Sequence, residues 1–133
     1  MPYLRVRIAT ENPGKHAAQE VATVLTQLAV SDLGKSASAA AVDVQFINPA
    51  NWFIGGQQLA ANQSSFVVEI NITAATNTRD AKAKFVQDAF AAMVAQFPHV
   101  AKTSYVLLRD VTSEAWGYGG KTQEFRYITG VTD

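Results

Sequence analysis

Residues 51–56 read NWFIGG and residues 115–120 read AWGYGG, so W-x-x-G-G is written twice, 64 positions apart. Each copy follows an apolar run, VDVQFI at 42–47 and VLLRDV at 106–111, again 64 apart. Further upstream, YLRVRIA at 3–9 alternates, with Leu4, Val6 and Ile8 on one side and Tyr3, Arg5 and Arg7 on the other. VVEINIT at 67–73 repeats the pattern with Val68, Ile70 and Ile72 against Glu69 and Asn71. Alternation of branched residues is the signature of a strand. Agreement in order and interval across these elements marks an internal repeat of units 1–64 and 65–133 within one domain.

Between the strands of each unit lies a helix signal. Asn12-Pro13 offers a cap followed by proline at the first helical position, and Val21, Val24, Leu25 and Leu28 then mark one helical face. In the second unit Asn77 or Thr78 is the cap, and Val86, Phe90, Met93 and Phe97 continue the stripe, ended by Pro98. This stripe places the helices 65 apart, a drift of one residue. Residues 31–41 and 57–65, rich in Ser, Ala, Gln and Asn, read as loops. The two glycines after each tryptophan permit a tight hairpin.

The expected fold is therefore α+β. Duplicated β-α-β units, each with a right-handed crossover, form a four-stranded mixed sheet with both helices on one face. The other face then carries Tyr3, Arg5, Arg7, Asp43 and Gln45, mixed with Phe66 and Leu107. A half-covered sheet in a chain that is 48% hydrophobic implies that identical subunits cover the rest.

Composition narrows the function. Lys+Arg and Asp+Glu number 11 each, with 4 of each in residues 1–64 and 7 of each afterwards. No basic excess exists on which nucleic acid would bind. With no cysteine there is no disulfide, thiol nucleophile or thiolate metal site. No apolar run approaches membrane length and no signal peptide is visible, so the expected location is cytoplasmic, away from membranes.

A Met-Pro start, strand–helix–strand units of about sixty residues and an aromatic followed by x-x-G-G resemble the tautomerase superfamily. WFIGG at 52–56 is similar to the aromatic-glycine segment of 4-oxalocrotonate tautomerase. The double length resembles the fused members, among them malonate semialdehyde decarboxylase, cis-3-chloroacrylic acid dehalogenase and 5-carboxymethyl-2-hydroxymuconate isomerase. WGYGGKTQEFRYITG at 116–130 looks most like the decarboxylase. The resemblance implies a homotrimer, a small-molecule carboxylate substrate and chemistry that needs no cofactor.

Within that frame Pro2 is the candidate catalyst. Once Met1 is removed, Pro2 is a free secondary amine, and an apolar surround or nearby cations would lower its pKa toward neutrality. Such an amine can take a proton from carbon or oxygen and return it elsewhere. The second unit has Phe66 at the equivalent place, so one site per subunit follows.

The usual arginines are missing. Asn12 stands where the tautomerase has an arginine before the first helix, and Asp43 replaces one on the following strand. Only Arg79 remains of the arginines before the second helix, and Gly117 occupies the place of the dehalogenase's glutamate. Arg109, on the strand leading to Trp116, is the first choice as a substitute cation, with Arg126 next; Arg5 and Arg7 share the open face. Trp116 is a candidate pocket wall, Trp52 a packing residue, and Tyr3 and Tyr118 border the pocket. Asp43 lies near the decarboxylase's aspartate. His16 and His99 lack companions at metal-ligand spacing, so no metal is expected.

Three functions remain open. The first is keto–enol tautomerisation of a small 2-oxo acid with Pro2 as acid–base. The second is decarboxylation or hydration of a small 3-oxo or unsaturated acid on the same scaffold. The third is a trimeric binding protein without catalysis.

Overall fold

The computed structural model describes residues 1–130; the last three positions of the second repeat, 131–133, lie outside the described residues. The first half runs β1 (Tyr3–Ala9), α1 (Ala17–Leu33), β2 (Ala41–Ile47), β3 (Phe53–Ile54) and β4 (Gln57–Gln58). The second runs β5 (Ser65–Thr73), α2 (Arg79–Gln96), β6 (Tyr105–Val111), β7 (Gly117–Tyr118), β8 (Lys121–Thr122) and α3 (Gln123–Thr129). One sheet has the order β2-β1-β5-β6. β1 is parallel to β2 and β5 to β6, and β1 and β5 pair antiparallel at the centre.

The repeat is written into the pairing. Tyr3 lies opposite Ala41, and Val67 opposite Tyr105, so both parallel pairs share one register when shifted by 64. Arg5 pairs with Glu69, which is its own counterpart 64 residues on, and the pseudo-twofold axis passes there. The hairpins also match. Gly55 and Gly56 have φ of 59° and 76°, and Gly119 and Gly120 have 61° and 79°. Two consecutive positive φ values in a two-residue loop define the type I′ turn, which glycine adopts without strain.

Even-numbered strand residues pack under the helices. Leu4, Val6, Ile8, Phe66, Val68, Ile70 and Ile72 are all buried there, joined by Val21, Leu25 and Ala29 of α1 and Phe85, Ala89 and Met93 of α2. Four expectations are corrected here. Phe66 belongs to this covered face, because β5 begins at Ser65 and alternation then points Phe66 inward. The helical stripe of α2 is Phe85, Ala89, Met93 and Phe97, which lies 64 and not 65 residues after Val21, Leu25, Ala29 and Leu33. Val86 is 36% exposed. Third, Asn12-Pro13 does not open α1; Asn12 sits in a turn at φ 49° and the helix begins at Ala17. In the second unit Thr78 is the cap, accepting from the Ala81 N–H at 3.1 Å. Fourth, α3, which periodicity did not indicate, is capped by Thr122, whose hydroxyl accepts from the Phe125 N–H at 3.0 Å.

The other sheet face carries Tyr3, Arg5, Arg7, Asp43, Gln45, Glu69, Asn71, Leu107 and Arg109, with no helix over it among the described residues. Among the described residues no helix is long and apolar enough to cross a membrane.

Candidate active site

Pro2 immediately precedes β1, and its ring is fully buried. Its carbonyl accepts from the Ala41 N–H at 3.3 Å, which fixes the chain start against β2. α1 ends at Gly34, whose φ of 67° turns the chain back so that the Gly34 and Lys35 N–H groups bond the Val30 and Ala29 carbonyls. This Schellman-type turn aims Lys35 across the start of β1. Lys35 Nζ donates to Thr76 Oγ1 at 2.9 Å, and burial holds its pKa below the ordinary lysine value. The N-terminal amine of Met1 is likewise held below its ordinary value, first by burial and then by the charge of Lys35.

Beside this amine lies a cleft of about 410 Å³, lined by Met1, Ser36, Ala39, Tyr118, Gln123, Arg126 and Tyr127. Arg126 is only 7% exposed. Its Nη2 donates to the Tyr118 carbonyl at 2.7 Å, and its guanidinium carbon stands 3.9 Å from the centroid of the Tyr118 ring. Its Nε and Nη1 are buried with no hydrogen-bond partner, as is Gln123 Oε1. Among the described residues Arg126 enters no salt bridge. A buried guanidinium without a carboxylate is costly unless something else meets its donors.

The structure thus brings Met1, the neighbour of Pro2, to one cleft with Tyr118 and Arg126. Trp116 stands behind them: its Nε1 donates to Thr73 Oγ1 at 3.1 Å, and its carbonyl accepts from the Gln123 N–H at 2.9 Å. Trp116 therefore anchors the second hairpin to β5 and sets where α3 begins, and it does not line the cleft beside Met1. Tyr3, Asp43 and Arg109 are elsewhere, on the open sheet face. Tyr3 donates weakly to Asp43 Oδ2 at 3.4 Å, and Arg109 Nη1 lies 3.8 Å from Glu69 Oε2.

Lys35, Gln123 and Tyr127 escaped the sequence reading. A signal for Lys35 existed: glycine directly after an apolar helical stripe marks a left-handed stop, and the next side chain is aimed by it. For Gln123 the signal was Thr122 as a cap.

Neither a protein-family model nor a curated protein sequence matches the chain. Solved structures do. A wild-type fused 4-OT, a symmetric trimer, superposes with a TM-score of 0.80 at 20% identity, covering 92% of this chain and 97% of that one. This is the tautomerase fold. It is shared with a macrophage migration inhibitory factor-like protein from Entamoeba histolytica, at TM-score 0.73, 16% identity and coverage of 91% and 97%. A member of the cis-3-chloroacrylic acid dehalogenase family superposes at 0.71 with 14% identity, covering 96% of this chain and 92% of its own. The sequence resemblance thus holds at the level of fold, in the double-length form.

Proposed function

We propose that the chain is an enzyme that interconverts the keto and enol forms of a small 2-oxo acid, with the amine of Pro2 as its acid–base after loss of Met1. The observation that supports this is the amine of Met1, one residue before Pro2, which burial and then Lys35 hold below its ordinary pKa at a cleft with a buried arginine. The neutral amine removes a proton from the carbon beside the carbonyl. The C–H electron pair becomes the new C=C bond, and the carbonyl oxygen becomes an enolate. Lys35 offsets that developing charge, and solvent protonates the oxygen to give the enol. In the reverse direction the ammonium returns its proton to carbon.

Tautomerisation asks for a base and a cation, and the Met1 amine and Arg126 at this cleft support that reading. Decarboxylation or hydration leaned on Asp43, which sits on the open face bonded to Tyr3, so the tautomerase reading is the better supported. Arg126 takes the role first given to Arg109, as the cation for the substrate's carboxylate. We further infer a homotrimer, since the sheet face bearing Arg5, Arg7 and Arg109 has no cover among the described residues and the fused 4-OT structure of similar fold is a trimer.

The test is a pair of assays on protein beginning at Pro2. Ultraviolet loss of an aryl enolpyruvate, with no carbon dioxide release from 3-oxo acids, is the expected result. Carbon dioxide release without enol conversion moves the assignment to the second chemistry, and inactivity in both leaves a binding protein.

A further inference from the structure

The chain contains its own control for the cleft. A second cleft of about 360 Å³ is lined by Ile54, Leu59, Gln63 and Thr103, among others, and each of these stands 64 residues from a residue of the first: Tyr118, Gln123, Tyr127 and Ala39. Leu59 and Gln123 are structural equivalents, since the Leu59 N–H bonds the Trp52 carbonyl at 3.1 Å and the Gln123 N–H bonds the Trp116 carbonyl at 2.9 Å. At Leu59 the fold is content with a buried aliphatic group, 7% exposed. At Gln123 it buries an amide oxygen with nothing to accept from. A buried acceptor left unmatched costs about 1–3 kcal/mol, and the fold does not require it. Beyond this point the halves diverge: the first turns directly into β5, and the second forms α3, which carries Arg126.

Gln123 and Arg126 are three residues apart on α3, and so are neighbours on one helical face. Both residues line the cleft that holds Met1, and there they bury an unmatched acceptor and unmatched cationic donors. We propose that Gln123 and Arg126 form one recognition corner for a carboxylate whose adjacent carbon bears a hydroxyl. The carboxylate takes the guanidinium donors, and the hydroxyl donates to Gln123 Oε1. A 2-oxo acid has no donor there; its enol does. The corner therefore reads the enol form, a step that rests on the tautomerase reading for the identity of the hydroxyl and on geometry for the rest.

The test uses the full chain beginning at Pro2 and two acids that cannot tautomerise, mandelate and phenylacetate, which differ by the 2-hydroxyl alone. Calorimetry should show mandelate binding about tenfold tighter, the value of one hydrogen bond to an otherwise unmatched buried acceptor. Gln123→Leu copies the residue of the equivalent cleft and keeps the fold. It should bring the two acids within about twofold while leaving phenylacetate affinity unchanged. Arg126→Met should weaken both acids by at least about tenfold. Should that variant melt early, the Arg126 Nε–H resonance of the unmutated chain serves instead and should move on addition of either acid. Equal affinities in the unmutated chain, failure of both acids to bind, or discrimination that survives Gln123→Leu would overturn the proposal. Enol turnover with no such discrimination removes this inference alone. Discrimination without turnover keeps the corner and removes the tautomerase reading.

Discussion

A chain that keeps Met1 should convert an aryl enolpyruvate at least about 1,000-fold more slowly than the chain beginning at Pro2. With Met1 in place the Pro2 nitrogen is an amide, whose lone pair is delocalised into the Met1 carbonyl and does not accept a proton. The Met1 amine is itself basic and lies in the same cleft, but it sits one residue, about 3.8 Å along the chain, from where the proline amine would be. Misplacement of a catalytic group by about 1 Å already costs on the order of 100-fold, and general base catalysis as a whole supplies about 100- to 10,000-fold. Pro2→Ala, processed to a free alanine, restores a primary amine at the right place and should retain part of the rate. Steady-state rates of the three proteins check this, with the N-terminal mass measured on each. Equal rates with and without Met1 would remove the proline mechanism.

The second large effect is on stability. Phe85→Ala should cost about 3–5 kcal/mol, lowering the melting temperature by roughly 10–20 °C. The Phe85 ring is fully buried in the layer between α2 and the sheet, at the place Val21 holds in the first half. Val86→Ala, one position along and 36% exposed, should change stability by no more than about 0.5 kcal/mol. Thermal unfolding of the pair decides between the two helical stripes. A larger loss at Val86 than at Phe85 would mean that the 65-residue spacing, and not 64, describes the core.

That pair shows why the strands were legible and the second helix was not. In β1 and β5 every inward residue from Leu4 to Ile8 and Val68 to Ile72 is a large branched aliphatic, so alternation identifies the buried face without ambiguity. In α2 the buried row passes through Ala89, too small to announce itself, while Val86 and Phe90 beside it are larger and form a competing row. Phe66 shares the parity of Val68, so alternation carried back through β5 to Ser65 puts it on the covered face. α3 left no periodic trace, since Tyr127 and Ile128 are exposed at 88% and 73% and its one buried residue is an arginine.

The site divides in the same way. Pro2 is a candidate from the sequence because its proposed chemistry depends on residue type and on loss of Met1. Tyr118 is a candidate because it sits in a repeated motif, and Arg126 because it is one of the few cations near that motif; both line the cleft beside Met1. Arg109 drew more weight than Arg126 since a strand end beside an aromatic suggested a pocket, yet its side chain leaves the sheet on the open face toward Glu69. Lys35 reaches the chain start only through the turn at Gly34 and its bond to Thr76, a residue of the other half. Proximity of that kind is set by tertiary packing and has no local sequence pattern.

The central claim is that the terminal amine is tuned to act as a base near neutrality. The direct measurement is a pH titration of the Pro2 nitrogen by NMR in ¹⁵N-proline-labelled protein lacking Met1. Burial and Lys35 hold the Met1 amine below its ordinary value; the Pro2 amine, one residue on, is proposed to share those surroundings, so its midpoint should lie below the usual terminal-amine value of about 8. The neutral amine is the base, so kcat/KM should rise with pH through that same midpoint. Lys35→Met removes a cation, eases protonation, and should move both the midpoint and the rising limb to higher pH. A midpoint at or above about 8, or one that Lys35→Met leaves in place, would contradict the account.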